Sequence, residues 1–239
     1  MSIVVSLISK VRAALYLGFA AVFTADVYEE LRDVLAKKMK DGDLIIEIGP
    51  GTGSNLKHIT DIIEKKNCHY RGIDYDADYI VELRQNVPKV PHEIYAGVKE
   101  GDFLLFADKD DPRLVPHTPK ANVIIMMIEC TMLMPQDLLR QKMKNVRRQI
   151  TEKGNNVTFI FAHTEFYKNT LMGWLAYFFK PYLKYVTTID FGIPTYKDDF
   201  ENFVGSFAKT TDTITEKRLG TWALSFGPIN LVEVECSAK

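Results

Sequence analysis

Three glycines at alternate positions form the most distinctive turn in the sequence. They follow an apolar run in the pattern Glu47-x-Gly49-x-Gly51-x-Gly53. Glycines so spaced let the backbone turn sharply from a strand into a helix and approach a ligand closely. A dinucleotide fingerprint would need its third glycine at position 54, which is a serine here. Because Glu47 would repel a pyrophosphate, the turn favours a ligand that carries positive charge.

Polar residues that could act as catalytic bases follow two later apolar runs. His163 comes directly after the fifth run and is the leading candidate, because imidazole titrates near neutral pH. Glu129, directly after the fourth run, and Glu165 are further candidates. The alternative for His163 is a structural, hydrogen-bonded role. Cys130, beside Glu129, is typical of a core residue, and we expect no metal site.

Apolar runs and helix-like segments alternate along most of the chain. Strands are predicted at about 44–49, 70–74, 92–98, 122–128 and 156–162, and helices at about 26–40, 55–66, 76–86 and 135–152. Such alternation indicates a parallel sheet covered on both faces. Two further strands, about 211–217 and 226–236, are joined by a connection that suits an antiparallel pair. The prediction is an α/β, Rossmann-like, doubly wound sheet of seven strands with an antiparallel last strand.

The stretch EIGPGTGSN resembles the first motif of class I S-adenosylmethionine-dependent methyltransferases. Their ligand carries an ammonium and a sulfonium and has no phosphate. The resemblance implies that S-adenosylmethionine is bound by Glu47 and the three glycines. It also implies that Asp74, in RGIDYD, holds both ribose hydroxyls beside Tyr75, and that Asp102 contacts the adenine amino group.

Finer details resemble a narrower group, the membrane-associated alkyl-thiol methyltransferases (methyltransferase-like 7) and their ubiquinone-methyltransferase-like relatives. The resemblance lies in the segments GTGSNLKH and GIDYDADY, in the apolar N-terminus and in an aromatic insertion. The resemblance implies methyl transfer to a small, rather apolar acceptor with a thiol, hydroxyl or amine. The alternatives are a protein or RNA methyltransferase and a cofactor-binding scaffold without catalysis. Absence of the family's Asn-Pro-Pro-Tyr element counts against nucleobase and glutamine acceptors.

Two further segments of the chain lie outside the predicted sheet, one at the N-terminus and one after the fifth strand. Residues 1–25 read as an amphipathic helix interrupted by Lys10 and Arg12, followed by a methyltransferase domain over 26–239. The helix either lies in a membrane interface or docks on the domain. The aromatic insertion 164–200 is predicted to be a lid over an apolar acceptor pocket; the alternative is that its rings are core or membrane-facing residues.

Composition limits the partners and the compartment. Lys and Arg number 30 against 31 Asp and Glu, which leaves no broad basic field for phosphates, so we expect no nucleic acid partner. Cys68, Cys130 and Cys236 are spaced neither for a disulfide framework nor for zinc. This pattern favours a reducing compartment, either the cytoplasm or the cytosolic face of a membrane. The sequence does not indicate an oligomeric state.

Overall fold

The structure is a computed structural model, and it describes a defined part of the chain. The described residues are 27–74, 77–87, 98–100, 107–108, 110–116, 120–128, 130–131, 136–164, 171, 174, 178, 197–221 and 228–238. The helices are α1 (27–38), α2 (Ser54–Lys65), α3 (Ala77–Asn86), α4 (Gln136–Glu152) and α5 (Lys197–Phe207). The strands are β1 (Leu44–Ile48), β2 (His69–Asp74), β3 (Val98–Glu100), β4 (Val123–Ile128), β5 (Val157–Thr164), β6 (Thr213–Thr221) and β7 (Pro228–Cys236).

The strands of the described residues form one sheet in the order β3-β2-β1-β4-β5-β7-β6. The first five pair in parallel, whereas β7 runs antiparallel to both β5 and β6. The chain proceeds from β1 to β2 and β3 on one side and returns to β4 and β5 on the other. This reversal creates a crevice at the carboxyl ends of β1 and β4, where open α/β sheets bind ligands. The predicted α/β, Rossmann-like fold is confirmed.

Helices cover both faces of the sheet because the central strands are apolar on both sides. One face buries Ile45 of β1 under α1, α2 and α3, and the other buries Ile46 under α4 and α5. Phe159 and Phe161 of β5 pack their rings against phenylalanines of α5 at centroid distances of 5.0–6.0 Å. Helix α5 therefore belongs to the core that supports the carboxyl end of β5.

Some predicted boundaries need correction. Strand β3 is described only from Val98, the residue at which the third strand was predicted to end, and 88–97 lie outside the described residues. Strand β6 continues to Thr221 because its pairing with β7 extends through Leu219. The predicted insertion 164–200 overlaps α5, whose apolar residues recur at i, i+3, i+4 and i+7 and pack on the sheet: Phe200, Phe203, Val204 and Phe207.

Most of the predicted lid and the whole N-terminal segment 1–25 fall outside the described residues. Three residues of the lid are described as helical and exposed, namely Leu171, Trp174 and Phe178, with Trp174 stacked on Phe178 at 5.5 Å. Among the helices that the structure describes, none combines the length and the hydropathy needed to cross a membrane.

Candidate functional site

The glycine turn joins β1 to α2 in a backbone conformation that favours glycine. Gly49, Gly51 and Gly53 have φ angles of 71°, 54° and 85°. The Gly49 N–H donates to the Ile73 carbonyl at 2.8 Å, and the Gly53 N–H donates to the Pro50 carbonyl at 3.0 Å. The turn is thus tied to the end of β2 and closes on itself before α2 begins.

The three glycines differ in what surrounds them. A Cβ at Gly53 would lie 2.8 Å from Leu83 Cγ, because α3 packs directly on the turn. A Cβ at Gly49 would lie 3.2 Å from Cys130 Cβ, at the end of β4. At Gly51, by contrast, no atom of the described residues lies within 4 Å of that position. The turn is therefore packed at its two ends and open at Gly51, where a ligand could approach the backbone.

Asp74 stands beside this open position. It is the last residue of β2 and is buried, and its Oδ2 accepts a hydrogen bond from the Gly51 N–H at 2.9 Å. The short turn and the parallel pairing of Ile48 with Ile73 together place the carboxylate there. A carboxylate at this point can accept hydrogen bonds from two adjacent hydroxyls, as in folds that bind ribose.

Glu47 lies below the turn with only 2% of its surface exposed. Its Oε2 accepts from the Tyr70 hydroxyl at 2.5 Å, and its Oε1 accepts from Asn55 Nδ2 at 3.1 Å. Burial raises the pKa of Glu47, while these two hydrogen bonds oppose the rise and Asp74 adds to it. Burial and the nearby Glu47 likewise raise the pKa of Tyr70 well above its ordinary value. Two donors directed at Glu47 favour its charged form.

Tyr70 and Asn55 are site residues that the sequence interpretation missed. Tyr70 carried no local signal, since its position opposite β1 depends on the register of two strands. Asn55 could have been suspected because it is the second residue of the helix that follows the glycine turn. Its Oδ1 is buried and has no hydrogen-bond partner among the described residues. A buried acceptor of this kind calls for a donor, and a ligand ammonium or N–H is one.

These hydrogen-bond acceptors therefore fit the cofactor that the sequence resemblance implies. Two buried carboxylates surround a turn whose open face is backbone, together with an amide oxygen that has no hydrogen-bond partner among the described residues. Acceptors of hydrogen bonds suit a ligand with hydroxyl and ammonium groups and repel phosphates. Cys130, predicted to be a core residue, is buried, and its Sγ donates to the Ile48 carbonyl at 3.0 Å.

His163 lies in different surroundings. It is 2% exposed, and its ring stacks on Phe200 with a centroid distance of 3.7 Å. In the antiparallel pairing of β5 with β7, it lies opposite Asn230. Burial lowers the pKa of His163 to about 3, so the imidazole is neutral at pH 7 and a weak base. The contacts described for His163 are with α5 and β7, and they do not include the glycine turn.

The remaining predicted site residues cannot be placed. Tyr75, Asp102 and Glu129 lie outside the described residues, and their roles stay predictions. Within the described ranges, His, Cys, Asp and Glu side chains do not gather in a group of three that could hold a metal ion.

Solved structures show which fold this is. The chain matches the methyltransferase domain of bacterial CtHen1 with a TM-score of 0.57 at 13% identity over 89% of this chain and 98% of that one. It matches the CurJ carbon methyltransferase with a TM-score of 0.63 at 10% identity over 95% and 59%. It matches the cyclopropane synthase MmaA2 of Mycobacterium tuberculosis with a TM-score of 0.59 at 12% identity over 87% and 83%.

These likenesses show that the chain shares its fold with methyltransferases of known structure. At such low identity they do not extend to the acceptor, and they give no support to the narrower alkyl-thiol or ubiquinone-related group. No protein-family model matches the sequence, and no curated protein matches it either.

Proposed function

We propose that the protein is an S-adenosylmethionine-dependent methyltransferase. The observation that carries the proposal is the open face at Gly51, with the Asp74 carboxylate hydrogen-bonded to its N–H at 2.9 Å and Glu47 buried below. A glycine turn flanked by acids suits a cationic nucleoside and disfavours a dinucleotide. The methyltransferase fold supports the same conclusion.

Each residue in and around the glycine turn has a distinct role in this proposal. Asp74 accepts hydrogen bonds from the ribose hydroxyls, and Gly51 lets the ligand approach the backbone. Glu47 supplies negative charge from below and, through Asn55, fixes the start of α2. Asn55 Oδ1 accepts from the ligand ammonium. When bound, S-adenosylmethionine supplies an electrophilic methyl group on a positively charged sulfur.

The acceptor in this proposal is a small, rather apolar molecule with a thiol, hydroxyl or amine. The net charge of −1 supports it, because a nucleic acid acceptor would need a basic field. A base is needed only for an acceptor that arrives protonated. Glu129, next to the Cys130 that faces Gly49, is the proposed base. His163 is not assigned that part, since a pKa of about 3 makes it a weak proton acceptor.

Calorimetric titration with S-adenosylhomocysteine tests the binding site. Replacing Asp74 with Ala removes hydrogen bonds to a charged group, so the affinity should fall about 10- to 150-fold. The matched control is Asp61→Ala, which removes an exposed carboxylate on α2 that pairs with Arg32. An Asp74→Ala protein that is folded and binds as tightly as the Asp61→Ala control would refute the role of Asp74.

Methyl transfer itself is tested with labelled S-adenosylmethionine and a panel of thiols, phenols and amines. We expect label in at least one small acceptor and its loss in the Asp74→Ala variant at low cofactor concentration. If the protein binds the cofactor but labels only added proteins or RNA, the proposed acceptor class is wrong.

We also propose that residues 1–23 contact a membrane surface. Support comes from the sequence alone, where Val4, Leu7, Val11 and Leu15 recur on one helical face. Liposome flotation of the whole chain should exceed that of a chain starting at Asp26. Equal flotation would favour a helix docked on the domain.

A further inference from the structure

Two side chains of β2 flank Glu47 on the same face of the sheet. Glu47 pairs directly with Gly72, which has no side chain, so its neighbours on that face are the residues two positions before and after Gly72. The first of these is Tyr70 and the second is Asp74. Glu47 therefore stands between a hydroxyl group and a second carboxylate.

The hydroxyl group of Tyr70 acts as a hydrogen-bond donor to Glu47. It lies 2.5 Å from Oε2 of Glu47, and both side chains are buried. Burial and the charge of Glu47 raise the pKa of Tyr70 well above its ordinary value, so the hydroxyl keeps its proton. A hydrogen bond from such a donor is stronger to an ionised carboxylate than to a neutral one. Tyr70 therefore favours the charged form of Glu47.

Without donors, the surroundings of Glu47 would favour its neutral form. Burial raises the pKa of Glu47, and the carboxylate of Asp74 raises it further. The hydrogen bonds from Tyr70 and Asn55 oppose this rise, and that from Tyr70 has the larger effect. Among the described residues, Tyr70 and Asp74 are the titratable groups that act on Glu47, since the contribution of α2 is the uncharged Asn55. Tyr70 is thus the main support of the charge on Glu47.

We infer that Tyr70 is a specificity-determining residue: its hydrogen bond holds a negative charge on Glu47 below the glycine turn, and this charge selects nucleosides that carry an ammonium group. Little water screens a buried charge, so Glu47 attracts the ammonium without contacting it. Tyr70 acts through Glu47 and is a positioning residue. Asp74 differs, because ribose hydroxyls are common to nucleosides with and without an ammonium. The inference rests on the proposed function, since it requires S-adenosylmethionine to bind at the glycine turn.

Calorimetric titration with two nucleosides separates the roles of Tyr70 and Asp74. S-adenosylhomocysteine carries an ammonium group, whereas methylthioadenosine has the same adenine, ribose and thioether sulfur but no amino acid. Tyr70→Phe should lower the affinity for S-adenosylhomocysteine on the order of tenfold and that for methylthioadenosine by less than about twofold. Asp74→Ala should weaken both. The control Ile45→Val removes one buried carbon directly opposite Tyr70 and keeps the hydroxyl, so both affinities should stay unchanged.

The pH dependence of binding responds to the charge of Glu47 and would not respond to a merely structural role of Tyr70. In Tyr70→Phe the pKa of Glu47 should rise, because a hydrogen bond that opposes the effect of burial is lost. As the pH is lowered, the variant should therefore lose affinity for S-adenosylhomocysteine at a higher pH than the native protein does. NMR of the labelled Glu47 carboxyl, assigned with Glu47→Gln, should show the same displacement in the free protein.

The outcomes separate this inference from the proposed function. If the folded native protein binds neither nucleoside, the proposed function fails and the inference fails with it. If it binds both, but folded Tyr70→Phe weakens both equally or weakens neither, the inference alone is overturned. An unmoved titration of Glu47 in Tyr70→Phe also overturns it. Should Tyr70→Phe fail to fold, Glu47→Gln must lose the same preference, and a retained preference would overturn the inference.

Discussion

The carboxyl ends of β1 and β5 lie at the same edge of one sheet, but the buried polar groups near these two ends differ in their hydrogen bonding. At β1, Glu47 accepts hydrogen bonds from Tyr70 and Asn55, and Asp74 accepts one from Gly51. At β5, His163 stacks on Phe200 and leaves Nδ1 without a partner in the described residues. In the first region, neighbouring donors oppose the effect of burial on the pKa of a carboxyl group, whereas in the second region burial alone keeps a titratable group neutral.

This difference decides which of the two regions could hold a charged ligand. A pair of carboxylates beside an open backbone suits a cationic, hydroxyl-rich molecule. A neutral imidazole buried against Phe200 offers no charge to such a molecule. Substitutions can test how tightly the glycine turn is packed and how strongly the surroundings of His163 disfavour its charged form.

The largest effect is expected from Gly53→Ala in the glycine turn. The new Cβ would lie 2.8 Å from Leu83 and 2.9 Å from Val87, at a φ of 85°. Crowding and the left-handed backbone should together lower the free energy of unfolding by about 4 kcal/mol. Urea unfolding measures it, with Gly154→Ala as the control, because Gly154 has a φ of 80° and nothing described within 4 Å. Equal losses in the two variants would show that the turn is not packed against α3.

The second-largest effect is a loss of stability at low pH, which we expect because His163 is buried in its neutral form. Its folded pKa of about 3 lies below the ordinary 6.5, so the unfolded chain takes up the proton first. The stability due to neutral His163 is complete above pH 6.5 and is lost as the pH falls towards 3. Between pH 7 and pH 4, the native protein should lose about 3 kcal/mol more than His163→Phe does.

Urea unfolding of both proteins at several pH values in that range gives the difference. The charged groups that lie near His163, namely Lys197, Glu201 and Glu216, are present in both proteins, so their contributions largely cancel. Parallel pH profiles for the two proteins would contradict the burial of a neutral imidazole.

The third effect concerns the support of Glu47. Tyr70→Phe keeps the ring and removes the hydroxyl that donates to Glu47 at 2.5 Å. A hydrogen bond to a charged group contributes more than a neutral one, so the free energy of unfolding should fall by about 2 kcal/mol at pH 7. Urea unfolding of the variant and of the native protein measures the loss. A loss below about 0.5 kcal/mol would mean that Glu47 does not depend on Tyr70.

The smallest effect on stability is expected from Gly51→Ala. Its Cβ meets no described atom within 4 Å, so only the φ of 54° is costly, at about 1 kcal/mol. The methyl group would enter the space assigned to the ligand, and affinity for S-adenosylhomocysteine should fall at least tenfold. Gly154→Ala should match its stability and leave that affinity unchanged. A Gly51→Ala protein that binds normally would place the ligand elsewhere.

Sequence patterns predicted the parts of the molecule that depend on neighbours along the chain. Strand β1 and the turn followed from an apolar run and three glycines, and Asp74 followed from its place at the end of the next run. Tyr70 could not be predicted, because its contact with Glu47 depends on the register between β1 and β2. The burial of His163 was not visible either, since it depends on Phe200 of α5, a residue that was included in the predicted lid.

We propose that the glycine turn binds S-adenosylmethionine and its demethylated product, and not a dinucleotide. Calorimetric titration of the whole chain with S-adenosylhomocysteine, and separately with NAD, tests it most directly. We expect saturable binding of S-adenosylhomocysteine and no measurable binding of NAD. Binding of NAD by the folded protein, or no binding of S-adenosylhomocysteine, would contradict it.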